Sequence, residues 1–289
     1  MKRENTWPLR WDLLLRYRLI EIIALWEGRL TTNHLCTAFG IGRQQASADI
    51  NTYLRTIGAG NLEYDRALKG YIPSASFKPV VTSGVADEYL HALAHNNELS
   101  HTFESLQLET PNTEVLRLPI RDVQPDVVRP LVQAARAGKR LEVEYASLEN
   151  PRPEPRVIAP HTLVFTGLRW HVRAWCERNG DYRDFVLSRF RGVPDIINDT
   201  SKHGADGDRL WNERVTVRIK PDSRLTADQR RVIARDYGMV RQVLRLETRA
   251  ALVKYLLDLL RLDPKVLDPD PKAQQVVIDN LDDLKPWLF

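Results

Sequence analysis

Two cysteines in 289 residues, Cys36 and Cys176, with no CxxC pairing and 139 positions between them, exclude a disulfide framework and a cysteine-based zinc site. Both read as small apolar residues destined for burial. No run of about 18 uncharged apolar residues occurs, which excludes a helix that spans a bilayer. The charged residues that follow the N-terminus do not form a secretory leader, and the expected location is cytoplasmic. A nucleophile elbow, a Walker loop, a dinucleotide fingerprint and a HExxH helix are all missing, so an enzyme is not expected. His91 and His95 have the spacing of a metal pair on a helix. Ala92 stands where a metalloprotease pattern needs its glutamate, and no metal or other cofactor is expected.

What is present is enough apolar sequence, 43% of the chain, for two or three folded domains of mixed α+β class. Charge is divided unevenly along it. Residues 1–80 carry 11 Lys and Arg against 7 Asp and Glu, whereas 81–289 carry 31 of each. The positive excess therefore lies in the first quarter and favours a polyanionic partner there.

Residues 11–26 place Leu14, Leu15, Leu19, Ile22, Ile23 and Trp26 at helical spacing, with Arg16, Arg18 and Glu21 outside that stripe. A short helix capped by Thr31 or Thr32 follows, and Gly40-Ile41-Gly42 separates it from a helix over 43–57 that buries Ala46, Ile50, Tyr53, Leu54 and Ile57. Helix, tight turn, helix is the pattern that sets a second helix in a DNA major groove. Its exposed start offers Arg43, Gln44, Gln45 and Ser47, with Asn51 one turn on. Arginine pairs with guanine, and glutamine or asparagine with adenine, each bidentate pair discriminating by roughly 1–3 kcal/mol. Residues 62–64 and 71–73 then alternate around a turn, as in the wing of a winged helix. Arg66 and Lys69 at its tip are placed for phosphate contacts, which position without reading sequence. These features define a DNA-binding domain over 1–80.

Residues 81–124 form a connector with a helix over 86–108. Next come a helix over 125–137 ending at Gly138 and four closely spaced strands, 141–145, 157–166, 170–176 and 182–190, which imply a small, strongly curved antiparallel sheet. Four segments stand out: Tyr145-Ala146-Ser147; Arg156-Val157-Ile158-Ala159-Pro160-His161; Gly167-Leu168-Arg169-Trp170-His171-Val172; and Arg183 through Phe190. Their order and spacing, behind a winged helix, resemble the WYL-domain transcriptional regulators, although the naming Trp-Tyr-Leu triplet reads Trp170-His171-Val172 here. Over nearly the whole chain the layout is similar to the BrxR/CapW-type repressors of phage-defence operons, of the BREX or CBASS kind.

That resemblance implies a homodimer on an inverted-repeat, double-stranded operator, a WYL sensor domain over 125–197 shaped as an Sm-like β-barrel, and an anionic nucleotide-like or oligonucleotide effector that releases the DNA. The residues suit such a ligand: Tyr145, Ser147, His161, Arg169, His171, Arg189 and Arg191 offer stacking, hydroxyl, imidazole and guanidinium groups. Tyr145 with Ser147, and Arg189 with Arg191, are each expected on one strand face. Residues 198–212 read as a polar linker. The extension over 209–289 reads as a small α+β dimerisation module, with strands over 214–220 and 240–247 and helices over 226–237 and 249–261. The apolar end, Pro286-Trp287-Leu288-Phe289, docks either on its own domain or on a partner subunit. Two other readings stay open: a β-barrel protein that holds single-stranded nucleic acid by stacking, and a WYL-type activator in place of a repressor.

Overall fold

The computed structural model describes residues 10–102, 114–116, 119 and 121–288, with the side chains of 95–102 outside the description. The chain divides into two compact units, 1–117 and 118–289.

In the first unit, α1 (Trp11–Glu27) stops at Gly28, which adopts a left-handed φ of 74°. Helix α2 (Thr32–Phe39) begins at Thr31, whose backbone N–H donates to His34 Nδ1 at 2.9 Å, and ends at Gly40 with φ 61°. Helix α3 (Arg43–Thr56) follows, then the hairpin β1 (Leu62–Asp65) and β2 (Gly70–Pro73), in register Tyr64↔Tyr71, and α4 (Ala86–Thr102). Of the helix expected over 86–108, residues 103–108 lie outside the described residues, and His95 and His101 outside the described side chains. The core unites Tyr17, Ile20, Leu30, Leu35, Ala46, Ile50 and Tyr53. Leu30 exchanges two backbone hydrogen bonds with Tyr71, which adds a third short strand to the wing.

The single apolar stripe expected on α1 is corrected. Residues 20–24 are buried all round, whereas Leu15 and Trp26 are exposed. Glu21, expected outside, is fully buried. Its Oε1 accepts from Tyr53 Oη and Val80 N at 2.9 Å, and its Oε2 from Val81 N at 3.0 Å and from Thr82 N and Oγ1 at 2.8 Å. A buried carboxylate is tolerated when its lone pairs are filled in this way. Glu21 thereby ties α1 to α3 and to the strand of chain leaving the wing.

In the second unit, α5 (Pro125–Ala137) ends at Gly138 (φ 62°) and lays Val127, Leu131 and Ala134 on an antiparallel sheet. The strands are β3 (Lys139–Tyr145), β4 (Glu154–Phe165), β5 (Trp170–Cys176), β6 (Asp181–Val186) and β7 (Phe190–Thr200), in the order β6-β5-β4-β3-β7. Among the described residues the expected closed Sm-like barrel is not found: β6 and β7 are both edges, and no ladder joins them. The strand expected over 182–190 is also corrected. A 3-10 turn, Leu187–Arg189, interrupts it, so that Phe185 and Phe190 both pack edge-on against Tyr145 at ring-centroid distances of 5.0 and 5.2 Å.

A strap containing α6 (Arg209–Asn212) leads to the C-terminal module: β8 (Arg214–Pro221), α7 (Ala227–Asp236), β9 (Leu244–Arg249), α8 (Val253–Leu259), β10 (Val276–Ile278) and α9 (Leu281–Leu284). Thr226 and Gln229 form a reciprocal capping box at α7, as its sequence indicated. The sheet order is β10-β8-β9, and Val217, Ile219, Val253 and Leu257 lie at the centre of the core. Trp287 and Leu288 pack on that core, so the C-terminal end docks on its own module. The polar linker expected over 198–212 is instead built in. His203 stacks on Trp175 at 3.8 Å, Tyr182 Oη donates to the Gly204 carbonyl at 2.8 Å, and Asp208 is buried.

Candidate nucleic-acid interface and effector site

Helix α3 starts at Gly42, which supplies no capping side chain, so the polar residues of the first turn are not drawn back onto the helix end. Arg43, Gln44 and Asn51 are exposed, and Ser47 is half-buried between them on one face. Gln45 differs: its Nε2 donates to Asp49 Oδ1 at 2.8 Å. Asp49 is buried and pairs with Arg16 Nε at 2.9 Å. Gln45 is exposed like its neighbours, but its amide is engaged by Asp49 of the domain's own ion pair. Arg55, which the sequence reading passed over, continues the face one turn beyond Asn51 and donates to its carbonyl at 3.3 Å.

At the wing tip Arg66 and Lys69 are exposed, Lys69 with a left-handed φ of 50°. Two contacts hold that turn: Leu68 N donates to Asp65 Oδ1 at 2.8 Å, and Arg29 Nε donates to the Leu68 carbonyl at 2.7 Å. Arg29 fixes the wing from 39 residues away, which no local pattern signals.

The seven effector candidates do not converge. Tyr145 is a core residue whose hydroxyl accepts from Val186 N at 3.0 Å. Ser147 lies past the end of β3, where its Oγ accepts from Asn150 N at 2.9 Å, and so does not share a strand face with Tyr145. Arg189 sits in the 3-10 turn and Arg191 in β7, which breaks their expected common face. Arg191 is exposed and donates to the carbonyls of Ser188 and Phe190 at 3.0 and 2.9 Å.

His161 and His171 belong to a buried network that joins the sheet to the strap and α8. Arg173 pairs with Asp208 at 2.5 Å and with Asp184 at 3.2 Å. His161 Nε2 lies 3.2 Å from Asp208, and Tyr255 Oη donates to Asp184 at 3.2 Å. His171 is 1% exposed, packs 5.1 Å from the Tyr255 ring, and neither ring nitrogen has a hydrogen-bond partner among the described residues. Burial drives its pKa down to about 4, Arg169 and Arg189 add to that, and Asp184 opposes it. Burial also lowers the pKa of His161, against the pull of Asp208. Neutral, buried imidazoles are poor receptors for an anion.

Arg169 alone of the seven lines an apolar groove of about 490 Å³, with Phe165, Leu168, Trp170, Leu187 and Ser188. Phe165 and Trp170 stand 53% and 51% exposed, their rings 5.1 Å apart. A second groove, which shares Val123, Leu187 and Ser188 with the first, carries Arg191. An exposed aromatic pair beside guanidinium groups is chemically a platform for a flat ring bearing negative charge.

Helix-turn-helix, wing, α5-covered WYL-type sheet and terminal α+β module together define a winged-helix WYL regulator. Family models match in the same order: the BrxR transcriptional regulator winged helix-turn-helix domain over 12–95, the WYL domain over 126–194 and the BrxR C-terminal dimerization domain over 214–284. Named relatives span the whole molecule. The DNA-binding transcriptional repressor CapW of Stenotrophomonas maltophilia is 34% identical over 100% of this chain and 96% of that protein. The proteins of the same name from Escherichia coli (strain KTE188) and Pseudomonas aeruginosa are each 34% identical over 96% of this chain and 93% of theirs. The chain belongs to the BrxR/CapW family of WYL-domain transcriptional regulators. Among the described residues, no helix is long and apolar enough to cross a membrane.

Proposed function

We propose that this chain is a homodimeric, sequence-specific transcriptional repressor that binds an inverted-repeat operator of a phage-defence operon through α3. The observation that carries the reading is the solvent-facing row Arg43, Gln44 and Asn51 on a helix that buries Ala46, Asp49, Ile50 and Tyr53 on another side. Two such helices address half-sites about one helical turn, roughly 34 Å, or a multiple of it apart. The wing cations and the positive excess of residues 1–80 supply the sequence-independent part of the affinity.

The effector is a nucleotide-like or oligonucleotide anion that stacks on Phe165 and Trp170 and pairs with Arg169, while Arg191 extends the site. Tyr145, His161 and His171 shape the sheet behind it, and Ser147 holds the turn after β3. Effector and operator are antagonists with a coupling of roughly 1–3 kcal/mol, which weakens DNA binding about 5–150-fold. Fluorescence anisotropy with the promoter DNA of its own operon tests this. Tight, salt-sensitive binding that short single-stranded oligonucleotides relieve is expected, with relief lost and affinity kept in Trp170→Ala. Equal affinity for random DNA overturns the operator reading, and unaltered relief in Trp170→Ala overturns the placement of the effector.

A further inference from the structure

The C-terminal module leaves one side unfinished. Strand β8 is central and its Val217 and Ile219 are fully buried, whereas Leu244 and Leu246 of β9, packed on the same core, are only half-buried. Among the described residues β9 has no strand on its outer side. Helix α7 has no buried residue, and Val240, just before β9, is 69% exposed. An unpaired edge flanked by apolar side chains invites another strand, and proteins ordinarily blunt such edges with charge or cover them.

The charges on this edge do not simply repel. Arg245 and Glu247 flank Leu246 on the opposite face from the core, both exposed, and neither has an ion-pair partner among the described residues. Two copies of β9 paired antiparallel about Leu246 would place Arg245 of each opposite Glu247 of the other. Leu244 would lie opposite Thr248, and Leu246 opposite itself. Such self-complementarity is what a two-fold interface requires, since where one residue of the first copy meets a second residue of its partner, the second residue of the first copy must meet the first of the partner. Opposite charges directly across an antiparallel pair stabilise it, and like charges there destabilise it.

We propose that β9 is the homodimer seam, joining two three-stranded sheets into one continuous six-stranded sheet with reciprocal Arg245–Glu247 pairs. The inference rests on the homodimer reading above and on the match of this module to a dimerization domain. Its test is a charge-reversal exchange on the full-length chain, read by native mass spectrometry and analytical ultracentrifugation. Arg245→Glu alone and Glu247→Arg alone each set like charges against each other twice, and the dimer dissociation constant should rise about tenfold or more. A one-to-one mixture of the two variants restores both pairs in the heterodimer, which should form at the wild-type affinity; the double variant should self-associate as the wild type does. Circular dichroism of each variant should match the wild type, since both side chains are exposed. Unchanged dimerisation of the single variants, or weakening that the mixture does not repair, overturns the β9 seam. A monomeric wild-type chain overturns the homodimer reading instead.

Discussion

Replacing Glu21 by Gln keeps the size of the side chain and removes one of its two acceptors. If the amide nitrogen takes the Oε2 position it faces Thr82 N–H; at the Oε1 position it faces Val80 N–H. Either way one part-buried backbone donor loses its carboxylate partner, at about 1–3 kcal/mol. The hydroxyls of Tyr53 and Thr82 can rotate, yet the surviving bonds lose their charge assistance, about 1–2 kcal/mol more. Relief from burying a charge offsets part of this, which leaves a net loss of about 2–4 kcal/mol. Because the chain has two units, one melting temperature would mix their responses. Native-state hydrogen exchange of α1 and α3 amides isolates the first unit. The opening equilibrium there should rise about 30- to 1,000-fold, while α5 and β3 are unchanged. A change below about threefold in α1 and α3 would refute the claim that Glu21 holds the domain together.

Asp208→Asn leaves the buried Arg173 guanidinium with Asp184 as its remaining carboxylate and should cost the second unit about 3–5 kcal/mol, read by hydrogen exchange in β5. Burial pushes the Asp208 pKa up, but the Arg173 bonds outweigh it and the net shift is downward. Its contribution is thus present above the unfolded carboxylate pKa of about 3.9 and lost as pH falls through the lower folded value. For His171 the folded pKa is about 4 and the unfolded one about 6.5, so the unfolded state takes up the proton first. Stability of the second unit should fall between those values as pH drops, and His171→Phe should flatten that slope, measured by urea unfolding across pH. Arg66→Ala and Lys69→Ala should each weaken DNA binding equally for all sequences and lower the salt slope by about one, read from titrations at several salt concentrations.

Elements with local punctuation were legible in the sequence. Helix α5, closed by Gly138, strand β5 and the Thr226–Gln229 cap lie where pattern and turn residues placed them. What escaped depends on partners distant in the chain. Glu21 looks like a solvated surface residue until its donors arrive from 32 and 59–61 positions away. Asp208 looks like part of a linker until Arg173, 35 positions earlier, claims it. The interruption at Leu187–Arg189 carries no glycine or proline and exists because Tyr145 gathers Phe185 and Phe190 around itself. On α3 the polar face could be read from helical spacing, but the capture of Gln45 by Asp49 depends on Arg16 of another helix. In the sheet, residue types suited to an anionic ring were recognised, but period-two alternation could not tell which of them the fold would spend on its own core.

That α3 reads bases is tested most directly by a selection from randomised duplexes with the wild type, Arg43→Ala and Gln44→Ala. The wild type should return one two-fold-symmetric motif, and each variant should lose preference at one base pair per half-site, a loss of roughly 1–3 kcal/mol there. The same motif at undiminished preference from all three proteins would contradict it.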